Sequence, residues 1–352
     1  MTMKKLLSIF FLLLASFGVF LWWAASPAVS FKKFPSSAVV EFGESGTRFK
    51  NSLSPSPQPS PVEGEGAREI KIVTYNIGYA SGDKNNKPVA LAKAEVEANL
   101  KAIGEALKKL DADIVCLQEV DFRAARTFDI NQFVYLAKAL DMPYGAYAIT
   151  WNKKYVAWPY WPPQHQFGHI LSGQVVLSRY PIEKQYLMKF EKPDSNPFWY
   201  NWFYPEKIAQ KIFLKGEREM AVWNVHLEAF DPKTRLAQSE KFADWVQLQP
   251  NPKWVAGDFN SVSVYRNDLS LQEKKELEDR GEALSRFLEI TKLTNAEGLA
   301  PFFTMSSWNP VKKIDHILYD EKSTRLISVG TVADLKASDH LPVWALLVIG
   351  DR

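Results

Sequence analysis

An α/β body of two packed sheets flanked by helices, preceded by one apolar helix long enough to cross a membrane, is the architecture this sequence predicts. Three observations carry it. Residues 6–25 read LLSIFFLLLASFGVFLWWAA without a single charge. From Glu69 onward, short β-branched runs alternate with a few longer stretches of helical periodicity, a mix that buries its apolar faces as helices on sheets. Between the two lies a stretch rich in Pro, Ser, Gly and Glu that cannot bury a core.

The apolar run comes first in the chain. About 20 helical residues at about 1.5 Å each span the ~30 Å hydrocarbon core of a bilayer. Lys4 and Lys5 precede the run, and Trp22 and Trp23 close it, where indole rings favour the membrane interface. The run exceeds the usual core of a cleaved signal peptide. It reads as an uncleaved anchor over 1–30, with a removed signal ending near Ala28-Val29-Ser30 or a buried soluble helix as the alternatives. The leading lysines place the body outside the cytoplasm (periplasm or cell surface), although Lys32 and Lys33 on the other flank weaken the bias. Residues 31–68, containing SLSPSPQPSPVEGEGA, read as a semi-rigid spacer that sets distance from the membrane. The body is then 69–352.

Composition narrows little. The 352 residues are 46% hydrophobic and 24% charged, which is ordinary globular usage. Length permits several domains, yet about 250 residues often form one. With 43 Lys plus Arg against 40 Asp plus Glu, the net charge of +3 gives no positive argument for nucleic acid. Cys116 is the only cysteine, so an intramolecular disulfide is excluded. In the apolar run Ile114-Val115-Cys116-Leu117 it reads as a small buried hydrophobe.

Along the body, Ile70–Tyr75 alternates and reads as a strand. Residues Ala90–Leu110 place Leu91, Val96, Leu100, Ile103, Leu107 and Leu110 at helical spacing. Asp113–Leu117 is a buried strand and Gln132–Leu140 a helix. Further strands are predicted at Gly173–Ser178, Lys211–Leu214, Met220–His226, Trp254–Gly257, Ile314–Tyr319 and Leu341–Ile349. Helices are predicted at Pro232–Val246 and Leu271–Leu288, the latter broken at Gly281.

Polar residues fall where these strands stop: Asn76, Gln118-Glu119, Asn224 with His226, and Asp258 with Asn260. Two more segments carry Ile314-Asp315-His316 and Ser338-Asp339-His340. Singly each has an ordinary explanation. Glu119 can face solvent, Asp258 can cap an Asx turn, and the histidines can be hydrogen-bonded core residues. His316, next to Asp315, is expected to point the other way because strand neighbours alternate. Isolated buried carboxylates are costly, so several strand ends supplying them together imply one shared site at a sheet edge.

The order Thr74-Tyr75-Asn76, Leu117-Gln118-Glu119-Val120, Ser178-Arg179-Tyr180-Pro181, Asn224-Val225-His226-Leu227, Gly257-Asp258-Phe259-Asn260, Ile314-Asp315-His316 and Ser338-Asp339-His340 resembles the endonuclease/exonuclease/phosphatase superfamily over about Ile70 to Ile349. That superfamily includes DNase I-like nucleases, neutral sphingomyelinases and inositol polyphosphate 5-phosphatases. The resemblance implies a four-layer α/β sandwich of two mostly antiparallel sheets. It implies Mg²⁺, or Mn²⁺, held by Glu119 with Asn76, and Asp339 close to that metal or to a second metal site. Asp258 would activate water, Asn260 would bond the phosphate, and His340 would contact a phosphoryl oxygen with Asp315 as its partner. His226 matches a further histidine of the nuclease and sphingomyelinase branches. Gly78 departs from the abasic-site endonucleases, some of which carry a carboxylate there, and argues against that branch.

Two aromatic insertions bear on substrate. Trp151–Phe167 is interrupted by Pro159, Pro162 and Pro163 and is expected to be irregular. Residues 197–205 read PFWYNWFYP, six aromatics within seven residues. Trp199, Tyr200 and Trp202 are thereby candidate substrate contacts, for lipid or for nucleic-acid bases, unless the loops fold back as a satellite core. The sequence thus predicts a monomeric, membrane-anchored metal-dependent hydrolase of a lipid or small phosphodiester. An extracytoplasmic nuclease and an inactive adaptor on the same scaffold are the alternatives.

Overall fold

The structure is a computed structural model and describes residues 2–32, 34–43, 46–49, 68–215, 220–250, 252–278 and 280–350. In chain order it comprises α1 (Met3–Ala25), β1 (Ser37–Gly43), β2 (Gly46–Phe49), β3 (Arg68–Asn76), α2 (Lys93–Leu110), β4 (Ile114–Ala124) and α3 (Gln132–Ala139). Then follow β5 (Tyr144–Val156), β6 (Gly168–Ser178), β7 (Ile182–Lys189), α4 (Phe198–Asn201), β8 (Ile208–Leu214), β9 (Met220–His226) and α5 (Pro232–Gln247). The chain ends with β10 (Lys253–Asp258), β11 (Val264–Tyr265), α6 (Leu271–Glu278), α7 (Glu282–Thr291), β12 (Thr294–Asn295), β13 (Lys312–Lys313), β14 (Asp315–Tyr319), β15 (Thr324–Thr331) and β16 (Val343–Ile349).

One sheet has the order β15-β16-β3-β4-β6-β5-β1-β2 and the other β12-β14-β10-β9-β8-β7. Pairing is antiparallel except for β3 with β4 and β9 with β10. Ile72, Ile114, Cys116 and Val176 of the first sheet meet Ile212, Val222, Trp254 and Ile317 of the second in a shared core. On the outer face of the first sheet pack Val96, Leu100, Ile103 and Leu107 of α2 with Phe133 and Leu136 of α3. On the outer face of the second pack Phe242 and Val246 of α5 with Leu284 and Phe287 of α7. These four layers are the sandwich that the sequence led us to expect. Cys116 is buried, in keeping with its reading as a small hydrophobe.

The helix termini follow local chemistry. Asp231 caps α5 by accepting from the Thr234 N–H at 2.7 Å, with Pro232 at the first helical position. Glu95 reaches back to the Ala92 N–H at 2.9 Å, so α2 starts at Lys93 rather than at Ala90. Gly281 separates α6 from α7 as predicted.

Three expectations need correction. β1, β2, β5, β7, β15 and the short β11, β12 and β13 were not anticipated; β7, for example, exposes most of its residues and so lacks a buried run. Trp151–Val156, assigned to an irregular insertion, is the end of β5. The spacer reading fails for the start of 31–68. β1 pairs with β5 from Ser37↔Ala148 to Glu41↔Tyr144, and Ile149 N–H donates to Ser36 O at 2.8 Å. Ala38, Val39, Val40 and Phe42 give this stretch apolar faces, and β1 covers the edge that β5 would otherwise leave open. The sequence SLSPSPQPSPVEGEGA lies outside the described residues.

α1 has a mean hydropathy of 2.3 and is long and apolar enough to cross a membrane. Its last turn touches the body. Ala24 is buried, Lys153 Nζ donates to Ala25 O at 3.0 Å, and Asn152 exchanges two hydrogen bonds with the Val29 backbone.

Candidate active site

The topology explains why distant segments meet. β3 and β4 run parallel, as do β9 and β10, so Asn76, His226 and Asp258 at the ends of their strands and Gln118, where β4 stops pairing with β3, emerge at one edge. β14 runs antiparallel to β10, which sets Asp315 opposite Asp258 at that same edge. Gly257 permits the close packing of β10 on β9: with φ +155°, a Cβ there would lie 2.1 Å from Val225 O. A bulge in β4 between Leu117 and Val120, with Glu119 at φ +54°, turns the Glu119 carboxylate out of the ladder.

Asp258 is the centre of the cluster and is 1% exposed. Its carboxylate accepts from Asn76 Nδ2 at 3.0 Å and from the Asn260 backbone N–H at 2.8 Å. His226 Nε2 lies 3.6 Å and His340 Nε2 3.8 Å from Asp258 Oδ2. The Asx-turn reading of Asp258 is therefore correct and so is its place in the shared site. Asn260 also donates from Nδ2 to Leu227 O at 3.1 Å.

The two histidines differ in charge state. Burial alone would lower the His340 pKa, but the carboxylates of Asp315 and Asp258, and then Asp339, outweigh it and hold the imidazole well above its ordinary value. Asp315 binds His340 Nδ1 through both oxygens, at 2.9 and 3.2 Å. Burial and then the charge of Lys207 pull His226 down to about 3, against the opposing pull of Asp258. At neutral pH one imidazole is charged and the other is neutral. Two titratable groups pushed apart in one cluster are candidates for opposite tasks in proton transfer.

Asn85 bridges the other carboxylates, donating from Nδ2 to Glu119 Oε2 at 3.0 Å and to Asp339 Oδ1 at 3.2 Å. Burial, followed by the negative charge of Asp339, raises the Glu119 pKa, while Lys207 and His340 lower it in part. Two facing carboxylates in a partly buried niche favour a cation, and all-oxygen donors suit a hard divalent ion. Asp258, Asp315 and His340 also present ligand atoms within 4.8 Å of one another. That trio fits a cation less well, because Asp315 is committed to His340 and Asp258 already accepts from Asn76 and Asn260.

All eight residues singled out for chemistry (Asn76, Glu119, His226, Asp258, Asn260, Asp315, Asp339 and His340) thus converge. Asn76 contacts Asp258, and its Oδ1 accepts from the Gly78 N–H at 3.0 Å. A Cβ on Gly78 would lie 2.8 Å from Asp339 Oδ1, which explains the absence of a side chain at that position. Gln118 and Asn224 serve a different purpose: they bond one another at 2.6 Å and tie the two sheets together. His316 points away and holds Ser261 O at 2.9 Å, as alternation predicted.

Three further residues at the site were not singled out from the sequence. Lys207, 8% exposed, places Nζ 2.7 Å from His226 Nε2. Burial lowers its pKa, and Glu228, Glu119 and Asp258 raise it. Glu228 is fully buried two residues beyond His226 and accepts from Tyr204 Oη at 2.7 Å. Asn85 lies in an irregular segment with no periodic signal. The aromatic candidates form the rim rather than the cluster. Trp199 and Trp202 are exposed, while Tyr200 lines a cavity of about 280 Å³ with Tyr204, Glu228 and Phe230.

Known structures share this fold. An endonuclease/exonuclease/phosphatase from Beutenbergia cavernae DSM 12333 superposes with TM-score 0.58 at 18% identity, covering 80% of this chain and 72% of that one. Mannosyl-6-phosphatase Bt3783 of Bacteroides thetaiotaomicron VPI-5482 gives 0.52 at 16% identity, covering 80% and 100%. The human Nocturnin catalytic domain, with bound sulfate, gives 0.52 at 20% identity, covering 79% and 94%. No curated protein sequence matches significantly. The sequence profile of the endonuclease/exonuclease/phosphatase family matches residues 73–340, from the middle of β3 to His340. Endonucleases, exonucleases and phosphatases all hydrolyse phosphate esters, and this chain belongs to that family.

Proposed function

We propose that the chain is a membrane-anchored, divalent-metal-dependent phosphodiesterase acting as a monomer on a lipid or other small phosphodiester. The observation that carries this reading is the convergence on Asp258 of a charged and a neutral histidine, beside the Glu119–Asp339 carboxylate niche. In this reading 1–30 is the anchor and the catalytic domain lies on the extracytoplasmic side. The spacer role of 31–68 is given up, since β1 and β2 tie this part of the chain to the body ahead of β3.

Asp258 takes a proton from the attacking water, its carboxylate aimed by Asn76 and the Asn260 N–H. His340, charged and oriented by Asp315, donates from Nε2 to an oxygen of the phosphoryl group as negative charge develops there. Asn260 donates to the phosphate. Neutral His226 accepts from Lys207, whose ammonium adds positive charge to the anion site. Glu119 with Asp339 would hold Mg²⁺ or Mn²⁺, which neutralises charge on the phosphoryl oxygens when bound.

The test is hydrolysis of sphingomyelin, phosphatidylinositol-type lipids, plasmid DNA and a generic phosphodiester by the full chain, with Mg²⁺ and with chelator. Chelator-sensitive lipid cleavage supports the reading; cleavage of DNA alone replaces it with the nuclease. Glu119→Ala is expected to raise the Mg²⁺ concentration needed for half-maximal rate at least about tenfold, the scale of one lost charged contact. An unchanged requirement would remove Glu119 from the metal site.

Lys207→Met tests the ammonium beside His226. Loss of a charge-assisted contact of about 1.5–3 kcal/mol predicts kcat/KM down by about 10- to 100-fold. The melting temperature is expected to fall as well, because Glu228, Glu119 and Asp258 lose the ammonium that faces them, so kcat/KM is read well below the transition. A melting temperature that drops while kcat/KM holds would make Lys207 a structural residue only.

A further inference from the structure

Resting on the membrane reading above, the arrangement of the site edge carries one step more. β4 and β5 both run antiparallel to β6, so Glu119 and the loop joining β5 to β6 lie at the same edge of the sheet. In that loop Trp158, Tyr160 and Trp161 are exposed, Trp161 to 78%. β8 begins with Ile208 opposite His226, so the aromatic segment 198–204 enters at this edge too. It exposes Phe198, Trp199 and Trp202. The two rims belong to the site: His165 Nδ1 lies 3.0 Å from Pro88 O in the segment that carries Asn85, and Tyr204 holds Glu228.

α1 arrives at the same place. Its C-terminal turn is bonded to Lys153 near the end of β5, and Lys154 N–H donates to Ser26 O at 2.8 Å. Phe20, more than a turn earlier in α1, packs on Tyr155 with ring centroids 6.2 Å apart. The chain after the helix is then stitched along β5, so no free spacer separates the helix from the site edge. Exposed Trp and Tyr are the side chains that suit the level of lipid headgroups.

We infer that the catalytic mouth faces the bilayer that α1 crosses, with the rims 157–162 and 198–202 seated in its headgroup layer. The enzyme then acts in cis, on phosphate esters at the surface of its own membrane. The occupant of the aromatic surface is the lipid bilayer.

The experiment uses the full chain reconstituted into phosphatidylcholine vesicles. Cys116 is buried and stays unlabelled under native conditions. Trp161→Cys, Trp199→Cys and, as a control, Leu248→Cys each receive one environment-sensitive fluorophore. Leu248 follows α5, which leads away from the site edge, and β10 returns from there to Asp258, so it lies at the opposite edge. Lipids bearing a nitroxide at the headgroup or shallow acyl positions are expected to quench the labels at 161 and 199 several-fold more than the label at 248. Equal quenching at all three positions overturns the inference, as does the absence of quenching at 161 and 199. The readout does not depend on turnover, so a protein that quenches but hydrolyses no lipid loses only the proposed substrate. A chain that fails to float with the vesicles loses the anchor and the inference together.

Discussion

Asp258→Ala is expected to lower kcat by about 10² to 10⁴, the range that positioned acid–base groups contribute. The carboxylate is almost fully buried, accepts from Asn76 and from Asn260, and is flanked by both imidazoles. Among the described residues the neighbouring carboxylates are engaged elsewhere: Asp315 is bound through both oxygens to His340, Glu119 lies in the separate niche with Asp339, and Glu228 accepts from Tyr204. Steady-state kinetics at saturating Mg²⁺, together with a thermal melt, separate lost chemistry from lost fold. Turnover within a few-fold of the parent, on a folded variant, would assign the proton to another group.

His340→Ala should cost about 10² or more in kcat, the scale set by removal of one preorganised donor to developing negative charge. The pH dependence gives a sharper test. The folded His340 pKa lies well above the ordinary imidazole value, so the imidazolium persists through neutrality and is lost as pH rises through the raised value. An alkaline limb in kcat/KM is therefore expected. Its contribution to folding has the same sign, complete below the unfolded pKa of about 6.5 and lost as pH rises through the folded one. Asp315→Asn removes the leading charge that raises His340, and the alkaline limb should move to lower pH. A limb that stays in place in Asp315→Asn would show that another group governs it.

How much of this was legible beforehand differs by level. The interior strands Met220–His226 and Lys253–Asp258 are buried throughout, and their apolar runs are visible without neighbours. β5 and β7 are not: half-buried strands with lysines in them depend on partners far away in the chain, and no local period announces them. The eight chemistry-bearing residues were legible because polar groups interrupt apolar runs at strand ends. Lys207 was not, since a lysine reads as solvated until its neighbours remove the water around it.

The sequence by itself determined the apolar helix, the two-sheet class and the identities of the groups that gather at one edge, because each is written in local composition and order. The tertiary structure alone decided that His340 is charged while His226 is neutral, that Lys207 stands beside His226 in the field of Glu228, Glu119 and Asp258, and that the helix joins the body beside the aromatic rims. Charge state depends on burial and on partners up to many strands away in sequence, and the placement of rims and helix depends on which strands pair. Both are properties of distance in space, which spacing along the chain does not record.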